Sequence, residues 1–132
     1  MNVYVLVAGI LSFVSFLAHA FFGTKETLQT RTDFSDETVE KNWYQSFLAW
    51  HLITADLLLS SILLIVISIS NYLDNRKTIA FVFALQYLFW TFSWLITLSV
   101  TPGRKYYKQL FHWMLFLLCS ILLFYGMNRF EN

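Results

Sequence analysis

Charge is what this chain has least of. Only 13% of its residues are Asp, Glu, Lys or Arg, and nine cations against eight anions leave a formal net charge of +1. That balance supplies no basic field to attract phosphate, which excludes a nucleic-acid-binding domain. A single cysteine, Cys119, cannot close an internal disulfide and lacks the paired thiols of a redox enzyme, so it reads as a small packing residue. One proline and four glycines complete a composition far from that of a soluble domain. Met1-Asn2 offers no basic n-region, and Ala18-His19-Ala20 is followed by bulky Phe21-Phe22, so the first apolar run is not expected to be a cleaved signal peptide. No hydrophilic tail, low-complexity tract or internal repeat is apparent.

What is present is apolar bulk: 58% of the residues are hydrophobic and 20% aromatic. A hydrocarbon layer of about 30 Å needs roughly 20 apolar helical residues. Four stretches qualify, at about 3–22, 44–70, 78–100 and 109–127, and they leave no room for a soluble domain. Leu57 to Ile69 carries no charge, whereas transmembrane strands alternate in polarity over about ten residues, so helices are expected rather than a barrel. Asn71-Tyr72-Leu73-Asp74-Asn75 and Thr101-Pro102-Gly103 punctuate the runs as tight turns. The expectation is one all-α domain, an integral-membrane four-helix bundle running up-down-up-down antiparallel.

The one sizeable polar loop, 23–43, ends in a helix start. Ser35 is placed to cap, Asp36 and Glu37 sit where the helix dipole favours acids, and Phe34 with Val39 has the spacing of a hydrophobic staple. Helix 2 is thus expected to begin near Asp36 and to stand about two turns out of the membrane before Trp43 and Tyr44 mark the interface. Loops 1 and 3 hold Lys25, Arg31, Lys41, Arg104, Lys105 and Lys108, against Arg76, Lys77 and Arg129 on the other face. The positive-inside rule then favours loops 1 and 3 in the cytoplasm of an inner-membrane protein, with both termini outside.

Helical periodicity selects an inward face for each run. Ala8, Ser12, Ser15 and His19 form a stripe on the first, Phe47, His51, Thr54 and Leu58 on the second, Gln86, Trp90, Ser93 and Thr97 on the third, and His112, Phe116, Cys119 and Gly126 on the fourth. His19, His51 and His112 therefore arrive inward, at one depth, on one end of the bundle. Three imidazoles with an open position are a ligand set for zinc or copper, two can ligate a haem iron, and Thr54, Ser93 and Thr97 are candidates to orient the rings. No histidine has a partner at i+3 or i+4 on its own helix, so the cofactor reading has no motif behind it. The alternatives are interhelical hydrogen bonding and a pocket for an organic ligand.

The aromatics are lopsided. Trp43, Trp50, Trp90, Trp94 and Trp113 all fall in the half that holds the histidines, with Tyr44, Tyr106 and Tyr107, whereas a membrane belt would populate both interfaces. This pattern fits a pocket for a flat or lipid-like ligand lined by Trp50, Trp94 and Trp113, a docking surface for a membrane partner, or anchoring to headgroups. Arg104, Lys105 and Lys108 beside Tyr106 and Tyr107 also fit an anionic headgroup patch. Asp56 is an intramembrane carboxylate, costly by default. It lies about 140° around the second run from His51, so it is expected to face a different neighbour or a second protomer. Gln86 is the other polar group at depth. No further deep carboxylate or base accompanies them, which disfavours a transporter of charged substrates.

Two functional readings result. The favoured one is a non-enzymatic accessory or ligand-binding subunit that uses the aromatic and histidine end, works in the lipid bilayer, and partners a second copy or a larger membrane protein. The other is a small haem or metal protein with histidine ligands from the first, second and fourth runs.

Overall fold

The computed structural model describes residues 1–31, 36–101 and 112–130, and these residues are helical, with no strand among them. The described residues form four helices: α1 (Val3–Gln29), α2 (Glu37–Ile69), α3 (Arg76–Val100) and α4 (His112–Met127). The first three are each long and apolar enough to cross a membrane. α4 is described over 16 residues, about 24 Å at 1.5 Å per residue. Its expected first residues, 109–111, lie outside the described residues, as do Pro102, Gly103 and the stretch from Arg104 to Lys108 with Tyr106 and Tyr107.

One boundary and one cap differ from the sequence reading. Helix 1 does not stop at residue 22. It passes through a π-helical segment, Ala18–Gly23, and regains α geometry over Thr24–Gln29. Continuing an existing helix fixes one residue per hydrogen bond gained, so a polar run of Thr, Lys, Glu and Gln extends a helix it could not have nucleated. The polar loop is correspondingly shorter than 23–43. Helix 2 begins where expected, but its cap is Asp36, whose carboxylate accepts from the amides of Thr38 at 2.7 Å and Val39 at 3.4 Å. Ser35 and Phe34 lie outside the described residues.

α1 lies along α2 and against α4, and α4 pairs along α3, whereas α2 and α3 barely touch. Asn2 ties one end. Its backbone amide donates to Ser68 of α2 at 2.7 Å, its side-chain amide donates to the Gly126 carbonyl of α4 at 2.7 Å, and its side-chain oxygen caps α1 at Val5. Gly126 permits this closeness: a Cβ there would stand 2.8 Å from Val5 Cγ2 and 3.2 Å from the Asn2 oxygen. Seventeen residues along α1, His19 bonds Thr54 of α2.

The interior is richer in hydroxyls than the exterior. Ser12, Thr54, Ser60, Ser61, Ser68, Thr91 and Ser120 are buried among Val5, Ala8, Leu64, Ala84 and Leu123. Outside, Phe22, Leu52 and Phe89 are 71%, 73% and 66% exposed. Small residues inside and large apolar ones outside is the distribution that lets helices approach closely in lipid, where burying hydrocarbon gains nothing and hydrogen bonds and contacts do the holding. A polar knot at the middle draws one side chain from each helix. Tyr87 of α3 shares a 2.6 Å hydrogen bond with Ser12 of α1, whose own hydroxyl donates to the Ala8 carbonyl at 2.8 Å. Ser60 of α2 and Cys119 of α4 stand beside the phenol. Ser120 adds a bond across helices, donating to the Ala84 carbonyl of α3 at 2.9 Å.

Candidate functional site

The π-helical segment builds the site. Widening the helix by one residue shifts the hydrogen-bond register, and the amide of Thr24 reaches the carbonyl of His19, five residues back. The Thr24 hydroxyl donates to the same carbonyl at 3.3 Å and accepts from the Trp50 indole N–H at 3.2 Å. Inserted turns of this kind recur at functional positions in helices. Here the insertion aims His19 at α2.

His19 is gripped on two sides. Its imidazole lies flat on Trp50, ring centroids 3.6 Å apart and planes 10° from parallel. Its Nδ1 is 2.7 Å from the Thr54 hydroxyl oxygen, and that hydroxyl also lies 3.0 Å from the Trp50 carbonyl. Both contacts are satisfied at once only if Thr54 donates to the carbonyl and the His19 Nδ1–H donates to Thr54. In the neutral ring this is the tautomer whose Nε2 keeps a free lone pair. Gly23 leaves space for the indole: a Cβ at position 23 would collide with the Trp50 six-membered ring, with Cη2 at 2.8 Å.

Aromatics continue outward from this pair. Trp43 stacks on Phe47 at 5.1 Å, and Phe47 meets His51 edge-on at 4.5 Å, a ladder with helical spacing along α2. Beyond it, Arg31 donates to the Tyr44 hydroxyl at 3.0 Å and lies over both Trp43 and Tyr44, while Trp43 donates to Thr30 at 3.3 Å. These contacts hold the polar end of α1 to the first turns of α2. On the other side, Trp94 lies 5.2 Å from His112 and 6.3 Å from Phe116, and Trp90 meets Phe116 edge-on at 5.2 Å.

His19, His51 and His112 are carried by α1, α2 and α4 in turn, and His19 meets α2 through Trp50 and Thr54. The three histidines differ in setting, His19 half-buried and His51 and His112 exposed. Among the described residues no three His, Cys, Asp or Glu side chains are grouped so as to hold a metal ion. Trp113 contributes a buried indole N–H with no hydrogen-bond partner. Thr54 takes the orienting place expected of it. Ser93 and Thr97 do not: both are exposed, because the buried face of α3 is Ala80, Phe83, Ala84, Tyr87 and Thr91, one residue round from the expected stripe. Gln86 turns instead to α2, where its amide donates to the Asp56 carboxylate at 2.6 Å. Asp56 thus faces a neighbouring helix of its own chain.

The sequence reading overlooked Gly23, Thr24 and Tyr87. A glycine four residues after a histidine was a faint signal for the first two. The signal for Tyr87 was its place mid-way along an apolar run, where a phenol has no water to bond. Fold and site together define a class: a helical bundle with three helices long and apolar enough to cross a membrane, and an aromatic, histidine-bearing end. Comparison with family profiles, with curated proteins and with solved structures finds no match.

Proposed function

We propose that the chain is a non-enzymatic accessory or ligand-binding subunit that crosses a cell (inner) membrane four times as an antiparallel up-down-up-down bundle. The inverted distribution of hydroxyls and large apolar side chains supports the bilayer setting. So do the ties from the first residues of α1 to the last turns of α2 and α4. The excess of Lys and Arg in the first and third connections favours those segments on the cytoplasmic side.

The molecule it holds is flat or lipid-like and carries one polar group. The observation that carries this reading is the clamp on His19: a ring covered on one face by Trp50, bound at Nδ1 by Thr54, and presenting Nε2 as an acceptor. A histidine used only to join two helices needs neither a π-helical insertion nor a glycine cut to the shape of its stacking partner. The buried, unpaired N–H of Trp113 adds a donor at the same end, so a ligand with both hydroxyl and carbonyl character finds a partner for each. A larger membrane protein or a second copy presenting such a group would dock through the same surface.

The test begins with organic extraction and mass spectrometry of protein purified in mild detergent, with an absorption spectrum of the same sample. A stoichiometric apolar molecule or partner that is lost on Trp50→Ala and Trp113→Ala supports the proposal. A Soret band, or one equivalent of copper, zinc or iron that disappears in His51→Ala, replaces it with the haem or metal reading.

A further inference from the structure

At the end of the bundle away from the histidines, the connection between α2 and α3 and the last turn of α4 border an open cavity of about 510 Å³, lined by Asn2, Asn71, Asp74, Arg76, Lys77 and Arg129 among others. Among the described side chains that line it, three are cationic and one, Asp74, is a carboxylate. The guanidinium groups are placed without being neutralised. Arg76 donates to the Asn71 side-chain oxygen at 2.6 Å and to the Ser70 carbonyl at 3.5 Å, and lies 5.1 Å over the Phe130 ring. Arg129 donates to the Tyr125 hydroxyl at 3.1 Å and lies 5.3 Å over the same ring. Among the described residues none of the three cations meets a carboxylate.

The first turn of α3 sharpens the point. Arg76 and Lys77 are its first two residues, no acid stands in that turn, and Asn75 makes no side-chain cap. Cations at a helix N-terminus oppose the dipole, and uncapped amides there call for an acceptor. Both liabilities become assets when an anion occupies the cavity, since helix N-terminal amides and Arg are the usual phosphate ligands.

We propose that this cavity binds the phosphate of an anionic phospholipid headgroup, with Arg76, Lys77 and Arg129 as its cationic contacts and the α3 amides as neutral donors. A volume of this size is within the range of small-molecule sites and exceeds what a bare phosphate fills. In the bilayer setting proposed above, on which this inference rests, the start of α3 falls at the headgroup layer, so the acyl chains can lie along the exposed apolar flanks. This inference is separate from the ligand at the histidine end, because the two sites share no residue.

The test is native mass spectrometry of the protein in mild detergent with equimolar phosphatidylglycerol and phosphatidylcholine. The expected result is one phosphatidylglycerol retained in preference to phosphatidylcholine, with preference falling about fivefold for each cation neutralised, as for basic side chains near anionic lipid. Arg76→Gln, Arg129→Gln and Lys77→Gln are the variants. Lys77 makes no bond that holds the fold, so Lys77→Gln tests the charge alone. Lys25→Gln, a cation on α1 outside the cavity, is the control and should leave the preference unchanged. Preference that survives the triple variant, or falls equally with Lys25→Gln, overturns the proposal. Displacement of the lipid by millimolar inorganic phosphate, with phosphate then bound in its place, also overturns it and makes the cavity a free-phosphate site.

Discussion

His19 and Trp50 are stacked face to face across α1 and α2, 3.6 Å between ring centroids, and a glycine one turn on from the histidine is what allows it. The indole is held by the His19 face, by Thr24 at its N–H, and by the missing side chain of Gly23. Gly23→Ala places a methyl group inside the ring, so the indole has to leave. The expected cost is about 1–3 kcal/mol, the range for overpacking a close contact. Its signature is a red shift of Trp50 emission, read in a variant whose other tryptophans are Phe. Unchanged emission and stability in Gly23→Ala would show that the stack is not the constraint described.

The Thr54 bond is the second half of the clamp. Thr54→Val keeps the shape and removes the hydroxyl, leaving the His19 Nδ1–H without its acceptor. The expected loss is about 1–2 kcal/mol, between the mean for hydrogen bonds inside membrane bundles and the cost of a stranded donor. In a double-mutant cycle with His19→Ala, measured by reversible unfolding in bicelles, the two changes should be less than additive, since either one abolishes the same bond. Full additivity would mean that no such bond contributes.

Much of this was legible in the sequence, and the misses have a common physical cause. Run length and the absence of charge located the helices, and the end of α2 and the start of α3 fall within two residues of where hydropathy put them. Thr54 was legible as a candidate to orient one of the rings, because its stripe on α2 faces inward, but nothing in the sequence singled out His19 as the ring it meets. The inward face of α3 does not follow from Ser93 and Thr97, which are exposed. A helical Ser or Thr can donate to a carbonyl three or four residues back on its own helix, as Thr91 and Ser99 do here. Its polarity therefore forces no direction. Tyr87, whose phenol has no such local partner, was the residue obliged to face inward. The π-helical segment was invisible for a different reason: an inserted residue changes register without changing composition.

Asp56 and Gln86 join helices that otherwise scarcely meet, through a 2.6 Å hydrogen bond. Replacing one partner strands the other in a half-buried setting, so Asp56→Leu and Gln86→Leu are each expected to destabilise by about 1–3 kcal/mol. The double variant, apolar on both sides, should recover most of that loss, as replacing both members of a buried polar pair often does. A double variant as unstable as the sum of the singles would place the two side chains in separate roles.

The central knot makes a sharper prediction about which substitutions are silent. Ser12 spends its only proton on the Ala8 carbonyl, so the Tyr87 hydroxyl must be the donor in their 2.6 Å bond. Tyr87→Phe removes that donor and leaves Ser12 still bonded to Ala8. The expected cost is about 0.6–1.7 kcal/mol, the span of interhelical hydrogen bonds in membrane bundles. Ser12→Ala should cost less, because Ser60 lies beside the phenol with its hydroxyl unpartnered and can accept the proton instead. Only when both serines are gone is the phenol stranded. Ser12→Ala with Ser60→Ala should therefore exceed the sum of the single effects, by about 1–3 kcal/mol for an unsatisfied buried hydroxyl. That excess should vanish in a Tyr87→Phe background. If the excess persists without the phenol, the serines act through helix packing and the knot holds nothing together.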